Sequence, residues 1–290
     1  MRNRTKRTIW TVLMVLFAAI AFVCFGIAAW YFVGLYKTER DNQKVADEVK
    51  TEATEKPSEE SKELHLLGEA SLEEIETAEF TGEIDAQTPA VPEDAAADEG
   101  DIPVNFARLE SYNPELYAWI SVPGTNIDYP VAQHEGEDQL FYLHHDLYGE
   151  PQYAGCIFSQ APSAKDFSDP VTVLYGHNMK NGSMFQNLHL FREKPYFDEH
   201  RDLNVYTADQ AIKYEIYAVY PFDDRDINET YDFSDPKDLE LYRESVIHPH
   251  SMEANVREGM EITEDDHILT LSTCIYGATD QRLLLQAVRR

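Results

Sequence analysis

Residues 270–282 read Thr270-Leu-Ser-Thr-Cys274-Ile-Tyr-Gly-Ala-Thr-Asp-Gln-Arg282, an apolar run that stops on a thiol and reaches a guanidinium just past the next turn. Alternation through residues 268–273 sets Ile268, Thr270 and Ser272 on one face and Leu269, Leu271 and Thr273 on the other, the period of a β-strand. A second apolar run, residues 283–288, follows closely enough for a hairpin, which would return Arg282 to the neighbourhood of Cys274. A single cysteine is most often a small buried hydrophobe. Its neighbours decide whether this one is.

Working outward, segments of the same kind recur at residues 117–122, 127–131, 154–159, 171–175, 203–207 and 212–220. They are rich in β-branched and aromatic residues and are separated by turn residues such as Pro123-Gly124 and Asp169-Pro170. With 268–273 and 283–288 they predict a mainly β domain of about eight strands, a closed barrel or sandwich. Helices are expected at 104–111, 183–191 and 236–247, the last capped by Asp235 with Pro236 at its first position.

The amino-terminal third is different. Arg2, Arg4, Lys6 and Arg7 precede a run from Thr8 to Tyr36 without a charged residue; its 29 residues compare with roughly 20 needed to cross a bilayer core. Trp10, Trp30, Tyr31 and Tyr36 sit near its ends, where amphipathic rings favour the interface. Basic residues before the run and acidic ones after it predict a cytoplasmic tail (1–7), a membrane anchor (8–36) and an extracellular remainder. A cleaved signal peptide is the alternative, but its apolar core would be shorter and followed promptly by a small-x-small site. Between Thr38 and Asp101 there are 21 acidic and 5 basic residues, with Phe80 the sole aromatic. Such a composition predicts a disordered acidic stalk over 37–101. The folded domain is expected at 102–290.

The formal net charge of −29 argues against a nucleic-acid partner, because the chain repels phosphates. The three cysteines, Cys24, Cys156 and Cys274, form no disulfide framework and no zinc spacing. His144 and His145, read as neighbours on a strand, would point to opposite faces and make poor co-ligands; no metal or cofactor is expected.

Three residues carry the chemistry. Cys274 ends a strand, where a side chain reaches solvent. His177 follows Val171-Thr-Val-Leu-Tyr-Gly176, where another strand breaks at a glycine. Arg282 opens the last strand. A thiol becomes a nucleophile as the thiolate, an imidazole can take that proton and return it to a leaving amine, and a guanidinium can stabilise the oxyanion of acyl transfer.

The pairing of Leu-Tyr-Gly-His-Asn-Met-Lys-Asn-Gly-Ser-Met-Phe (174–185) with Thr-Leu-Ser-Thr-Cys (270–274) and a following Arg282 resembles the sortases, specifically class B. Residues 113–133, 141–146 and 154–160 are similar to that family's first barrel segments. Sortases are membrane-anchored cysteine transpeptidases of Gram-positive bacteria built on an eight-stranded barrel, and a helix between strands six and seven, here 236–247, marks class B. The resemblance implies Cys274 as nucleophile, His177 as general acid/base and Arg282 as oxyanion or substrate-positioning residue. It places Ser272, Leu143 and Gln139 on the substrate groove, and makes Cys156 a core residue. At Gln139 the family often has asparagine, and at Ile227-Asn-Glu-Thr230 a tyrosine or isoleucine wall; both departures lie where specificity is set. The implied partners are surface proteins with a C-terminal sorting signal, an amine acceptor on a peptidoglycan precursor or a pilin lysine, and the membrane through the anchor.

Overall fold

The computed structural model describes residues 2–54 and 102–290. Eight strands form the body: β1 (Leu116–Ser121), β2 (Asp128–Gln133), β3 (Ile157–Ser159), β4 (Val171–Tyr175), β5 (Asp202–Thr207), β6 (Ala211–Asp223), β7 (Ile268–Ile275) and β8 (Ala278–Arg289). They run β5-β1-β2-β3-β4-β7-β8-β6 around the sheet, and a further β5–β6 pairing closes it into a barrel; the two-residue strand Asn255–Val256 adds to β6. All eight expected strands are present, the last pair as the hairpin that the opening stretch predicts.

Period-two alternation divides each strand between interior and exterior. Leu269 and Leu271 of β7, Leu283, Leu285 and Ala287 of β8 and Leu174 of β4 enter the main core. Val171 and Val173 of β4, Ile268 of β7 and Leu284 and Val288 of β8 face outward into a second cluster with Tyr242 and Val246. That cluster is roofed by α5 (Pro236–Ile247), whose N-cap Asp235 accepts from the Lys237 amide. Below the roof the Tyr242 hydroxyl bonds Thr270 Oγ1 at 2.7 Å, Thr270 bonds Gln286, and Gln286 reaches Tyr220. These buried polar side chains thereby satisfy one another.

Three short helices complete the domain: α2 (Phe106–Tyr112), α3 (Lys194–Glu199) and α4 (Ile227–Thr230). Asn105 caps α2 by accepting from the Arg108 amide, and Asp226 caps α4 through the Asn228 and Glu229 amides. The helix expected over 183–191 is a 3-10 segment, Phe185–Arg192.

The expected disordered stalk needs correcting. A single helix, α1 (Arg2–Thr54), runs through the apolar stretch and on through the first part of the acidic segment. The apolar part is long enough, by length and composition, to cross a membrane. Beyond it Thr38, Asn42, Val45 and Val49 are buried at spacings of four, three and four, one stripe of a helix. Val45 and Val49 pack with Phe106, Leu109 and Trp119. Lys50 Nζ lies 2.5–2.6 Å from both Asp128 oxygens and 5.2 Å from the Trp119 ring centroid. Glu48 accepts from Arg108 at 2.9 Å and from the Tyr112 hydroxyl. Segment-wide composition averaged out this narrow stripe, which tertiary contacts turn into a docked helix. The remainder of the stalk expectation, 55–101, lies outside the described residues.

Candidate active site

The barrel brings three separated residues to one place through strand register. In the parallel β4–β7 pair, Tyr175 lies opposite Ser272. Two contacts carry the pairing past the strand end: the Gly176 amide donates to the Ser272 carbonyl at 3.1 Å, and Thr273 Oγ1 donates to the Gly176 carbonyl at 2.7 Å. Two residues beyond Tyr175–Ser272 stand His177 and Cys274. In the antiparallel β7–β8 pair Cys274 is directly opposite Arg282, and β6 continues the row with Phe222 opposite Arg282. Alternation puts Cys274 on the outward face with Thr270 and Ser272, and Arg282 with Leu284 and Gln286; His177 lies two residues past Tyr175, beyond the end of β4. The three residues therefore stand at adjacent strand ends, on the same rim of the barrel.

Gly176 is required here. A Cβ on it would come within 2.5 Å of Ile157 Cδ1 and 2.8 Å of the Phe185 ring. The bare backbone lets Phe185 pack under the strand end, where its amide donates to the His177 carbonyl at 3.0 Å.

His177 is half-buried and clamped. Its Nε2 lies 2.9 Å from the Leu143 carbonyl; a carbonyl can only accept, so Nε2 carries the proton and Nδ1 holds the lone pair. Tyr153 stacks on the imidazole at 5.4 Å and 12°. Burial pulls the pKa of His177 below the ordinary histidine value, partly opposed by the bond to Leu143. Leu143 ends the 3-10 turn Phe141–Leu143, and the chain can approach that turn because Gly155, at φ +63°, has no Cβ to strike the Tyr142 and Leu143 carbonyls.

The Cys274 thiol is exposed. Its carbonyl accepts from Asn178 Nδ2 at 2.9 Å, and His189 Nε2 lies 3.1 Å from both that oxygen and the Asn178 amide. One nitrogen cannot donate to the carbonyl and accept from the amide at once, so Asn178 is the anchor that holds in either tautomer. The Arg282 guanidinium donates to the Gln281 carbonyl at 3.0 Å. It stays at the rim.

The residues expected on the substrate side sit in different settings. Ser272 shares the outward face with Cys274 and is largely buried, between Tyr175 and Leu284 on the flanking strands. Leu143 reaches the site through its carbonyl, on His177. Gln139 has both ends of its amide engaged, accepting from the Ala161 amide at 2.6 Å and donating to the Gly136 carbonyl at 3.0 Å, so it ties two loops together. Ile227, the first residue of α4, is itself buried, where the family often has a groove wall. Asp226 at its head accepts from Gln160 at 2.7 Å and from the Tyr175 hydroxyl at 3.3 Å, joining the β6–β7 connection to β4. His144 and His145 are not on a strand: they follow the 3-10 turn, and His145 stacks on Phe141 at 3.7 Å. Tyr153, Asn178 and His189 escaped the sequence reading. Asn178 had a signal, its place next to His177; Tyr153 and His189 had none, because only folding brings them to the rim.

Known proteins share this architecture. A family model described as a sortase domain matches residues 120–290. Sortase B of Listeria monocytogenes is 31% identical over 175 residues, 60% of this chain and 69% of that protein. The crystal structure of Clostridium perfringens sortase B superposes with a TM-score of 0.57 at 31% identity, covering 64% of this chain and all (100%) of that one. A Streptococcus pyogenes class B sortase involved in pilus biogenesis gives 0.55 at 29% identity over 64% of this chain and 98% of its own. With its barrel, its Cys–His–Arg rim and more than half its length matched, the chain belongs to the sortase family of transpeptidases, in class B.

Proposed function

We propose that this enzyme cleaves the C-terminal sorting signal of surface proteins at a threonine and transfers the acyl group to an amine of a peptidoglycan precursor. The observation that supports the reading is the register that pairs Cys274 with Arg282 and brings the end of β4, with His177 just beyond it, to the same rim. The Cys274 thiol gives its proton to His177 and the sulfur attacks the threonine carbonyl. With Nε2 held by Leu143, Nδ1 is the nitrogen free to accept. A pKa lowered by burial keeps the imidazole neutral near pH 7 and ready for this step. Negative charge develops on the carbonyl oxygen, and Arg282, swung from the Gln281 carbonyl, stabilises it. Collapse breaks the C–N bond, the imidazolium protonates the departing amine, and a thioester remains on Cys274. The acceptor amine then attacks, loses its proton to His177 and releases the sulfur. Ser272 lies beneath the acyl chain, and Leu143 acts through His177. No step requires a cofactor.

The apolar part of α1 is the membrane anchor in this reading. Basic residues Arg2, Arg4, Lys6 and Arg7 keep the N-terminus cytoplasmic, and the barrel, docked on the same helix, works at the outer surface. A second reading replaces the wall acceptor with a pilin lysine; it is favoured by the pilus-associated S. pyogenes structure. Incubating the protein with a labelled sorting peptide, with and without an amine, tests both. A product joined to the amine, absent in Cys274→Ala, is expected; release of free acid alone, whatever amine is supplied, overturns the transpeptidase reading. Glycine-terminated wall peptides and lysine-bearing pilin peptides, offered in competition, separate the two acceptors.

A further inference from the structure

Beside the Cys274 backbone, where Ile275 and Asn178 meet, lies a cavity that the mechanism above leaves unused. It holds about 360 Å³ and is lined by Asn178, Lys180, Gln186, His189, Arg192 and Tyr276, together with Met179 and Ile275. It begins one residue beyond each member of the Cys–His pair, since Asn178 follows His177 and Ile275 follows Cys274. Its position is fixed by the Asn178 bond to the Cys274 carbonyl.

Its charge is unlike the rest of the protein. In a chain of formal charge −29, this lining contains two permanent cations and a histidine and no carboxylate. Arg192 is paired across the rim with Glu253. Lys180 has no carboxylate partner among the described residues; its Nζ stands 5.2 Å from the Tyr276 ring centroid, which orders a cation without neutralising it. The Gln186 and Asn178 amides add neutral donors. A globally acidic surface repels anions, so a small cavity with uncompensated positive charge that begins one residue from Cys274 is an arrangement for admitting one.

We propose that this cavity is an acceptor subsite, in which Lys180, supported by Arg192 and the Gln186 amide, binds a compact oxyanion carried by the amine that resolves the thioester. Carboxylate and phosphate share the required chemistry, and a wall precursor could present either. The inference rests on the transpeptidase reading above, and deepens it by naming what the acceptor carries besides its amine. Holding the anion places the attached amine over the thioester carbon, which raises the effective concentration of the amine over that of water.

The experiment uses the full chain in detergent, a labelled sorting peptide and matched small amines: glycylglycine against glycylglycinamide for the carboxylate, O-phosphoethanolamine against ethanolamine for the phosphate. The readout is the partition between amine-joined and hydrolysed product. The wild-type protein is expected to favour the anionic member of at least one pair by about 10-fold, the scale of one charge-assisted hydrogen bond. The pair showing the larger preference identifies the source. Lys180→Ala should erase that preference while leaving partition to the uncharged member within about twofold, and Lys180→Arg should restore most of it. No preference in the wild type for either pair overturns the subsite, as does an equal fall for charged and uncharged members in Lys180→Ala. Hydrolysis with every amine would instead sink the transpeptidase reading itself, and the subsite with it.

Discussion

Two thiols in this barrel have opposite fates. Cys156 directly precedes β3 and is buried with Leu116, Tyr142 and Phe158; its sulfur reaches the Pro130 carbonyl at 3.7 Å, and burial pushes its pKa far up. Cys274 lies near the end of β7 with an exposed sulfur, an imidazole at the neighbouring strand end and a guanidinium on the other side. Both are cysteines at the edges of apolar strands. What separates them is cover: Cys156 lies under the cluster formed by α1, α2 and the Phe141–Leu143 turn, where a thiol is packing, whereas at the rim Cys274 meets solvent and the ends of adjacent strands. A pKa raised by desolvation leaves almost no thiolate at Cys156, whatever lies near it.

The largest test breaks the comparison outright. Cys274→Ala is expected to lower sorting-peptide cleavage by about 10⁴-fold or more, the scale of removing a catalytic nucleophile. Cys156→Ala should stay active and lose about 1–2 kcal/mol of stability, as for a small buried truncation. Alkylation with iodoacetamide should modify Cys274 in the folded protein and reach Cys156 on unfolding. Equal activity losses in two folded variants would show that Cys156 shares in the chemistry.

Next comes the charge at the rim. Arg282→Ala should slow thioester formation by about 10²-fold, as for loss of one oxyanion donor. Arg282→Lys should recover little, because an ammonium cannot reproduce the planar fork. A shift of the pH–rate profile by more than about one unit with an unchanged maximum would assign Arg282 to thiol ionisation instead.

The opposite wall offers a smaller effect, on stability alone. Val49→Ala removes apolar volume from the seam between α1 and the barrel, and about 2 kcal/mol should be lost in thermal unfolding. Lys50→Ala removes a partly exposed ion pair and should cost less, about 1 kcal/mol or under. Neither should alter the rate of peptide cleavage per folded molecule. If Val49→Ala leaves stability unchanged, residues 37–54 are not docked.

The smallest effect is a pH dependence. The folded pKa of His177 lies below its unfolded value, so the unfolded chain binds the extra proton and stability falls as pH drops from about 6.5 through the folded pKa. His177→Asn should therefore flatten that acid loss, by less than the ~1.4 kcal/mol per pH unit that one full proton allows. Denaturant melts between pH 7 and about 5 would show it; an unchanged slope would mean that His177 is more solvated than its clamp implies.

The strands were legible because each is a short run of β-branched and aromatic residues bounded by turn formers, and a barrel interior enforces that pattern. The cap of α5 was legible for the same local reason, Asp235 followed by Pro236. Less was legible where the signal is diluted or distant. The docking stripe Thr38, Asn42, Val45 and Val49 lies within a strongly acidic segment, and nothing local announces the surface that buries it. Gln139, expected on the substrate groove, also ties two loops together, because the partners of an amide are chosen by whichever loops come near.

The amino-acid sequence alone determined which segments are strands, that a long apolar run precedes them, and that a cysteine, a histidine and an arginine each stand at a strand end. The short hairpin already returned Arg282 to Cys274; only the tertiary structure decided that the strand end bearing His177 joins them. β4 and β7 are adjacent and parallel although β5 and β6 intervene in the chain, and Thr273 bonds Gly176 across 97 residues. Parallel neighbours need a long crossover, and its path is set by barrel closure through β5–β6 rather than by any local propensity. The clamp on His177 by Leu143 and Tyr153 has the same origin: it forms where a returning loop passes the rim, and closure of the barrel determines where that is.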